Sequence, residues 1–144
     1  MKGMLRICVV VFVSFLLLAS CSKRKIKKVE NSLIEGNWKV QSYLDDNEDK
    51  TSDFNGIVFT FKADGVVSLT GSVSVNGTWD VSKENDGNDD DLFDKDHLEL
   101  ILNIPYPYDF ISEDWEIENH SDSQIELKDF SGDGSEETLI FIKN

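Results

Sequence analysis

The amino-acid sequence predicts an all-β fold, an eight-stranded antiparallel up-and-down β-barrel. Apolar and polar residues alternate with a period of two in short stretches, which is typical of half-buried strands. Turn-forming residues separate these stretches, and no helical periodicity continues beyond about two turns, so we expect no helix able to cover a sheet. Such strands favour a closed barrel over a two-sheet sandwich, because closure removes exposed sheet edges.

Eight stretches show the strand pattern. They are Asn37–Leu44, Gly56–Ala63, Val66–Leu69, Val75–Ser82, His97–Ile104, Trp115–Asn119, Gln124–Asp129 and Thr138–Lys143. Asp64-Gly65 predicts a type I′ hairpin turn, because Gly65 can adopt a positive φ. Asn76-Gly77 predicts either a second tight turn or a bulge within its strand. The connection Ile104–Asp114 has room for one helical turn.

Length and charge limit the function classes. The chain has 144 residues, enough for one domain, and a formal net charge of −14. Residues 1–28 contain seven basic side chains and no acid, which leaves residues 29–144 with seven basic and 28 acidic ones. Because residues 29–144 are so acidic, they repel the phosphate backbone of nucleic acids, and we exclude nucleic acid as a partner.

The first 21 residues have the pattern of an export signal. Lys2 and Arg6 precede a 12-residue apolar run, Ile7–Leu18, which is too short to span a bilayer comfortably. Leu18-Ala19-Ser20-Cys21 resembles the lipobox of bacterial lipoproteins. The resemblance implies a signal peptide over 1–20 and a diacylglyceryl thioether and fatty acyl chains such as palmitate on Cys21. The alternative is an ordinary signal peptide that ends near a cysteine.

Residues 21–32 are interpreted as the lipidated cysteine and a basic tether to a domain over 33–144. Five cations lie between Ser22 and Glu30, and each contributes about 1 kcal/mol beside anionic headgroups. The alternative is a solvated linker. By resemblance, serine after the lipidated cysteine indicates the outer membrane. The basic run departs from the acidic residues that mark surface export in Bacteroidota-type lipoproteins, which favours a periplasm-facing cell-envelope protein over a surface-exposed one.

Four motifs in the body resemble the lipocalin-like lipoproteins of Bacteroidota-type bacteria. They are Gly36-Asn37-Trp38-Lys39-Val40, Phe59-x-Phe61-x-x-Asp64-Gly65, Gly77-Thr78-Trp79-Asp80-Val81 and Asp114-Trp115-x-Ile117. The likeness covers most of residues 33–144. It implies that Trp38 closes one end of the barrel under a basic side chain of the last strand, for which Lys143 is the candidate.

The same resemblance implies a small apolar or amphipathic ligand in the barrel mouth. The side chains expected to point inward are Trp38, Val40, Ile57, Phe59, Phe61, Trp79, Leu98, Leu100, Trp115, Ile117, Leu127 and Phe141. The candidate ligand contacts among them are the large rings Trp38, Phe59, Phe61, Trp79 and Trp115. The alternative is that these rings fill the interior, because an eight-stranded barrel has room for its own side chains or for one small ligand.

Two loops carry further candidate sites. Tyr106, Tyr108 and Phe110 lie among prolines, a pattern typical of a preorganised contact patch, although the same loop could fold over one barrel end as a lid. Asp129, Ser131 and Asp133 have the alternating oxygen spacing of a Ca²⁺ loop. The alternative for this loop is a hairpin turn between two strands.

Catalysis has little support in the sequence. The only histidines are His97 and His120, and no nucleophile, zinc or phosphate-loop motif is present. We therefore expect a non-catalytic protein without a cofactor beyond its acyl chains. Three hypotheses remain: a lipoprotein that binds a small ligand, a filled barrel that docks on another envelope protein, and a Ca²⁺-stabilised adhesion module.

Overall fold

The computed structural model describes residues 23–83, 97–132 and 134–144 of the chain. Its elements are α1 (residues 23–34), β1 (Trp38–Asp45), β2 (Glu48–Asp49), η1 (Thr51–Phe54), β3 (Val58–Phe61), β4 (Val66–Thr70), β5 (Ser74–Lys83), β6 (Leu98–Asn103), η2 (Asp109–Ile111), β7 (Asp114–His120), β8 (Gln124–Phe130) and β9 (Glu136–Lys143), where η denotes a 3-10 turn. The eight predicted strands are all present, and the helical turn expected before β7 is η2.

The strands form a closed antiparallel barrel, which confirms the predicted fold class and its lipocalin-like architecture. Consecutive strands pair from β3 to β9, and β1 closes the barrel between β9 and β3. The β1–β9 ladder runs from Trp38↔Lys143 to Asp45↔Glu137, whereas β1 meets β3 at the single pair Trp38↔Phe59. The short β2 only extends β1, through a hairpin whose turn residues Asp46 and Asn47 have φ of 47° and 68°.

The segment expected to be a tether is a helix that belongs to the barrel. Val29 and Leu33 on α1 are fully buried and join the hydrophobic core. The hydroxyl of Ser32 donates to the Ser121 carbonyl at 3.0 Å, and the indole N–H of Trp38 donates to the Leu33 carbonyl at 2.9 Å. The solvated-linker alternative is therefore wrong for this helix, and the domain boundary drawn at residue 33 falls inside it.

The two ends of the barrel are closed differently. At the helix end, α1 lies across the mouth between the β3–β4 turn and the β7–β8 turn. At the lid end, the connections that contain η1 and η2 cover the opening, and the β8–β9 turn lies beside them. The core cluster between these ends is composed of described residues from Val29 to Phe141 and draws on both the helix and the strands.

The Asp64-Gly65 turn has a different geometry from the one expected. Gly65 has a φ of 82°, but Asp64 is not in the positive-φ region that a type I′ turn needs at both positions. The Gly65 N–H donates to the Lys62 carbonyl, and the Lys62 N–H donates to the Val66 carbonyl. This is a three-residue loop with a glycine bulge, which needs only one positive φ and also matches the strand twist.

Asn76-Gly77 forms neither the turn nor the bulge that its residue types suggested. Both residues pair regularly with β4, as Ser68↔Asn76 and Val67↔Gly77. A Cβ atom at Gly77 would lie 2.4 Å from the carbonyl oxygen of Asn103. Glycine is required here because a neighbouring backbone approaches closely.

Most of the predicted inward-facing side chains are buried, but two bulges move the inner face. Register shifts occur between Val40 and Ser42 on β1 and between Ile117 and Asn119 on β7. Val40 and Ile117 are consequently only half-buried against the core. Beyond the first bulge, Tyr43 takes the interior position that simple alternation would have assigned to Ser42.

Candidate functional site

The rings that were candidate ligand contacts are all buried in the barrel interior. Trp38, Phe59 and Trp115 have no exposed surface, and Phe61 and Trp79 are also buried. Edge-to-face contacts join Phe61 to Trp79, and also Phe59 and Phe61 to Phe141, with centroid distances of 4.9–6.0 Å. Phe59, Phe61 and Trp79 therefore pack through ring contacts that include Phe141, and Trp38 and Trp115 are buried in the same core cluster.

Each tryptophan N–H of this set is satisfied by the protein itself. Besides the Trp38 bond to Leu33, Trp79 donates to the Lys62 carbonyl at 3.0 Å and Trp115 donates to the Ile111 carbonyl at 3.1 Å. None of the three indoles has a donor left for a ligand, because each carries only one. These bonds instead attach α1, the β3–β4 turn and the lid to the core.

The expected closure of one barrel end by Trp38 and a basic side chain is confirmed. The ammonium group of Lys143 lies 5.3 Å from the centroid of the Trp38 ring, within cation–π range. The side chain of Lys143 also runs over Gly36, where an added Cβ would be 3.4 Å from Lys143 Cε. The last strand therefore covers the indole as the family resemblance implied.

Two open depressions occur at the helix end, and both are small. One has a volume of about 250 Å³ between α1 and the β3–β4 turn, where Lys27, Glu30 and Trp79 line it. The other has a volume of about 240 Å³ around Asn119–Gln124. Sites for drug-sized ligands have volumes of about 300–1,000 Å³, so both depressions fall below that range.

The loop with Tyr106, Tyr108 and Phe110 divides into a lid and an exposed part. Tyr108 is buried, packs 5.5 Å from the Phe54 ring, and donates its hydroxyl to the Asp53 carbonyl at 3.3 Å. Phe110 lies 5.8 Å from both Tyr43 and Phe54 but is 39% exposed, and Tyr106 is 84% exposed. The lid alternative is thus confirmed for Tyr108, whereas Tyr106 projects from the lid.

A third exposed ring lies at the same end of the barrel. Phe130, the last residue of β8, is 58% exposed. Among the described residues, Tyr106, Phe110 and Phe130 are the exposed large hydrophobic side chains, and we call them the lid-end rings. Phe130 had no role of its own in the sequence-based predictions, because the predicted strand ended at Asp129 and Phe130 fell in the turn that follows it.

The lid end is also strongly acidic. Its described carboxylates are Asp45, Asp46, Glu48, Asp49, Asp53, Asp109, Glu113, Asp114, Asp129, Glu136 and Glu137. The two described lysines at this end are already paired: Lys50 contacts Asp45 and Glu48, and Lys128 lies 2.9 Å from Glu136. Most of the negative charge at this end is therefore left without a cationic partner among the described residues.

Three of these carboxylates are neighbours on adjacent strands. Glu137 on β9 is opposite Asp45 on β1 and opposite Asp129 on β8. Burial raises the pKa of Glu137, and the negative charges of Asp45, Asp129 and Glu113 raise it further, against the hydrogen bond from Tyr43 at 2.9 Å. Like charges directly opposite one another destabilise a sheet, so this row strengthens the negative potential of the lid end at a cost in stability.

The predicted Ca²⁺ loop is only partly described. Asp129 and Ser131 are described, whereas Asp133 lies outside the described residues. The Ser131 N–H donates to the Ser135 carbonyl at 3.1 Å, and the Gly134 N–H donates to the Ser131 carbonyl at 3.0 Å, as in a hairpin turn. Within the described ranges, no group of three or more His, Cys, Asp or Glu side chains is arranged to hold a metal. Calcium binding stays a prediction.

The predicted lipid anchor and the similarity of the chain to known proteins remain to be considered. Cys21 lies outside the described residues, and none of the described helical segments is long and apolar enough to cross a membrane. Comparisons of the chain with protein families, with curated proteins and with solved structures found no match. The function must therefore follow from the residues of this chain.

Proposed function

We propose that this chain is a bacterial lipoprotein, acylated on Cys21, whose filled lipocalin-like barrel is a non-catalytic docking module for another protein of the cell envelope. The burial and packing of the core rings carry the proposal. Trp38, Phe59, Phe61, Trp79 and Trp115 are all buried, and Phe61 packs edge-to-face on Trp79, which favours the docking hypothesis over a small apolar ligand held by the same rings. The outer surface, above all the lid end, is then the functional part of the barrel.

The arrangement of the chain supports membrane anchoring with a defined orientation. Residue 23 belongs to α1 and follows Cys21 by two positions, and two residues span at most about 7 Å. An acylated Cys21 therefore holds the helix end close to the bilayer. The lid end lies one strand length away, about 25 Å for an eight-residue strand such as β1, and faces away from the lipid.

The location is proposed from the sequence around the anchor. Ser22 after Cys21 and the basic run that follows favour the outer membrane, with the barrel in the periplasm. Two or three acyl chains make such an anchor stable, whereas one chain is marginal. The periplasmic space then supplies the partner protein.

Metabolic labelling tests the anchor. Cells that express the full chain are grown with an alkyne-tagged palmitate, and the protein is then isolated and its label detected. We expect label on the wild type and none on Cys21→Ser. Because this variant lacks the anchor, it should be found in the soluble fraction instead of the membrane fraction. Label-free wild-type protein would contradict the proposal.

Site-specific photocrosslinking tests the docking surface. A benzophenone side chain is placed at Tyr106 on the lid, or at Lys62 in the exposed β3–β4 turn as a matched control at the helix end. We expect a discrete crosslinked envelope protein from position 106 and not from position 62. Equal crosslinking from both positions would show contact without a defined surface.

A further inference from the structure

The lid end differs from the rest of the described surface in two ways at once. All three exposed large rings are there, and two of them, Tyr106 at 84% and Phe130 at 58%, present most of their surface to solvent. Aromatic side chains of this kind supply large contact areas at low conformational cost. In a monomeric protein a cluster of exposed rings marks a surface that a partner covers.

The carboxylates around the rings determine the charge of that partner. Asp109 and Asp114 are exposed and lie one residue before and four residues after Phe110 in the chain, and the Asp45–Glu137–Asp129 row lies at the lid-end termini of β1, β9 and β8. Nucleic acids and anionic lipid surfaces are repelled by such a surface. A cationic partner is attracted, and its association is accelerated by the same field.

The chain contains its own example of the recognition that we infer. The ammonium group of Lys128 lies 5.8 Å from the centroid of the Phe130 ring and 2.9 Å from the Glu136 carboxylate. A ring face and a carboxylate thus bracket one cation at the edge of the lid end. Asp109 is the chain neighbour of Phe110 and both are exposed, so a ring and a carboxylate are also available there to cations from outside.

We propose that the lid end binds a lysine- or arginine-bearing segment of the partner protein, whose apolar side chains cover the lid-end rings while its cations pair with the surrounding carboxylates. This inference rests on the proposed docking function and names the chemistry of the partner. The lid end is suited to it because it faces away from the membrane when Cys21 is anchored.

Fluorescence anisotropy with a defined peptide tests this inference. The protein is the chain from residue 22 onward, which contains every residue of the described core cluster and lacks Cys21. The probe is a fluorescein-labelled eight-residue peptide of alternating arginine and leucine, and a second probe replaces leucine by serine. We expect saturable binding of the first probe, at least tenfold weaker binding of the serine probe, and weaker binding of both at higher salt.

Two pairs of variants distinguish the effect of the lid-end carboxylates on affinity from the effect of the net charge of the protein. Asp109→Asn with Asp114→Asn removes two charges at the lid end, and Asp64→Asn with Asp122→Asn removes two exposed charges at the helix end. We expect at least a tenfold loss of affinity for the first pair and less than a twofold loss for the second. Equal losses would show that the probe responds only to net charge and would overturn the inference.

Ring variants test the aromatic part of the surface. Tyr106→Ser, and Tyr106→Ser combined with Phe130→Ser, leave the charge unchanged and remove exposed side chains, so the melting temperature should stay close to that of the wild type. We expect at least fivefold weaker binding for the double variant, and undiminished affinity would overturn the inference. The protein used in these binding experiments starts at residue 22 and lacks Cys21. A failure of this shortened protein to bind the probe is therefore distinct from a failure of acylation in cells.

Discussion

Replacing Leu33 by alanine tests whether α1 is part of the barrel core. Leu33 has no exposed surface and packs in the core cluster with Trp38. The substitution removes the equivalent of three methylene groups, worth about 2.4 kcal/mol at about 0.8 kcal/mol each. The cavity that remains adds to this, so we expect the free energy of unfolding to fall by about 3 kcal/mol.

Equilibrium unfolding in urea of the chain from residue 22 onward measures the effect. Leu33→Ala should lower the urea midpoint without changing the slope of the transition, because the fold itself is kept. Asn31→Ala, at an exposed position on the same helix, is the control and should change the free energy of unfolding by less than about 0.5 kcal/mol. If Leu33→Ala were as mild as the control, α1 would be a tether after all.

Two further predictions concern the backbone and the carboxylates. Gly77→Ala places a Cβ 2.4 Å from the Asn103 carbonyl oxygen, so we expect it to lower the free energy of unfolding by about 2 kcal/mol. Gly132→Ala is the control, because its Cβ meets no atom within 4 Å, and it should be nearly neutral. Urea titration measures both variants. For Glu137, folding raises the carboxyl pKa above its ordinary value of 4.5, so the wild type gains stability from this group as the pH falls from 7 toward 4.5. The stability of Glu137→Gln relative to the wild type should therefore decrease as the pH is lowered from 7 toward 4.5, which thermal unfolding at several pH values measures. A difference in stability between the two proteins that does not change with pH would contradict the raised pKa.

The strands could be predicted from the sequence because apolar and polar residues alternate along them, apart from the bulges in β1 and β7, and only the inner face of the barrel is buried. The pairing of Trp38 with Lys143 was also predictable, because the resemblance to lipocalin-like proteins implied a basic side chain of the last strand over this ring. The helix was not predictable. Its inward residues Ile26, Val29 and Leu33 follow helical spacing over only about two turns, and the five cations among them suggested a solvated segment.

The candidate site was only partly visible in the sequence, because burial depends on where loops fold. Tyr106 and Tyr108 are equivalent by composition, yet one is exposed and the other is buried against Phe54. Asn76-Gly77 shows the same limit, since a glycine that permits close backbone approach cannot be distinguished locally from one that forms a turn. Whether large rings enclose a cavity or fill it depends on their packing in three dimensions.

Native mass spectrometry of the protein released in mild detergent from the membranes of its bacterium tests the central claim most directly. We expect one species, composed of residues 21–144 with acyl groups on Cys21 and no bound small molecule, because the rings occupy the interior. A stoichiometric apolar molecule that survives detergent exchange, or an unmodified Cys21, would contradict the account of a filled and lipid-anchored docking barrel.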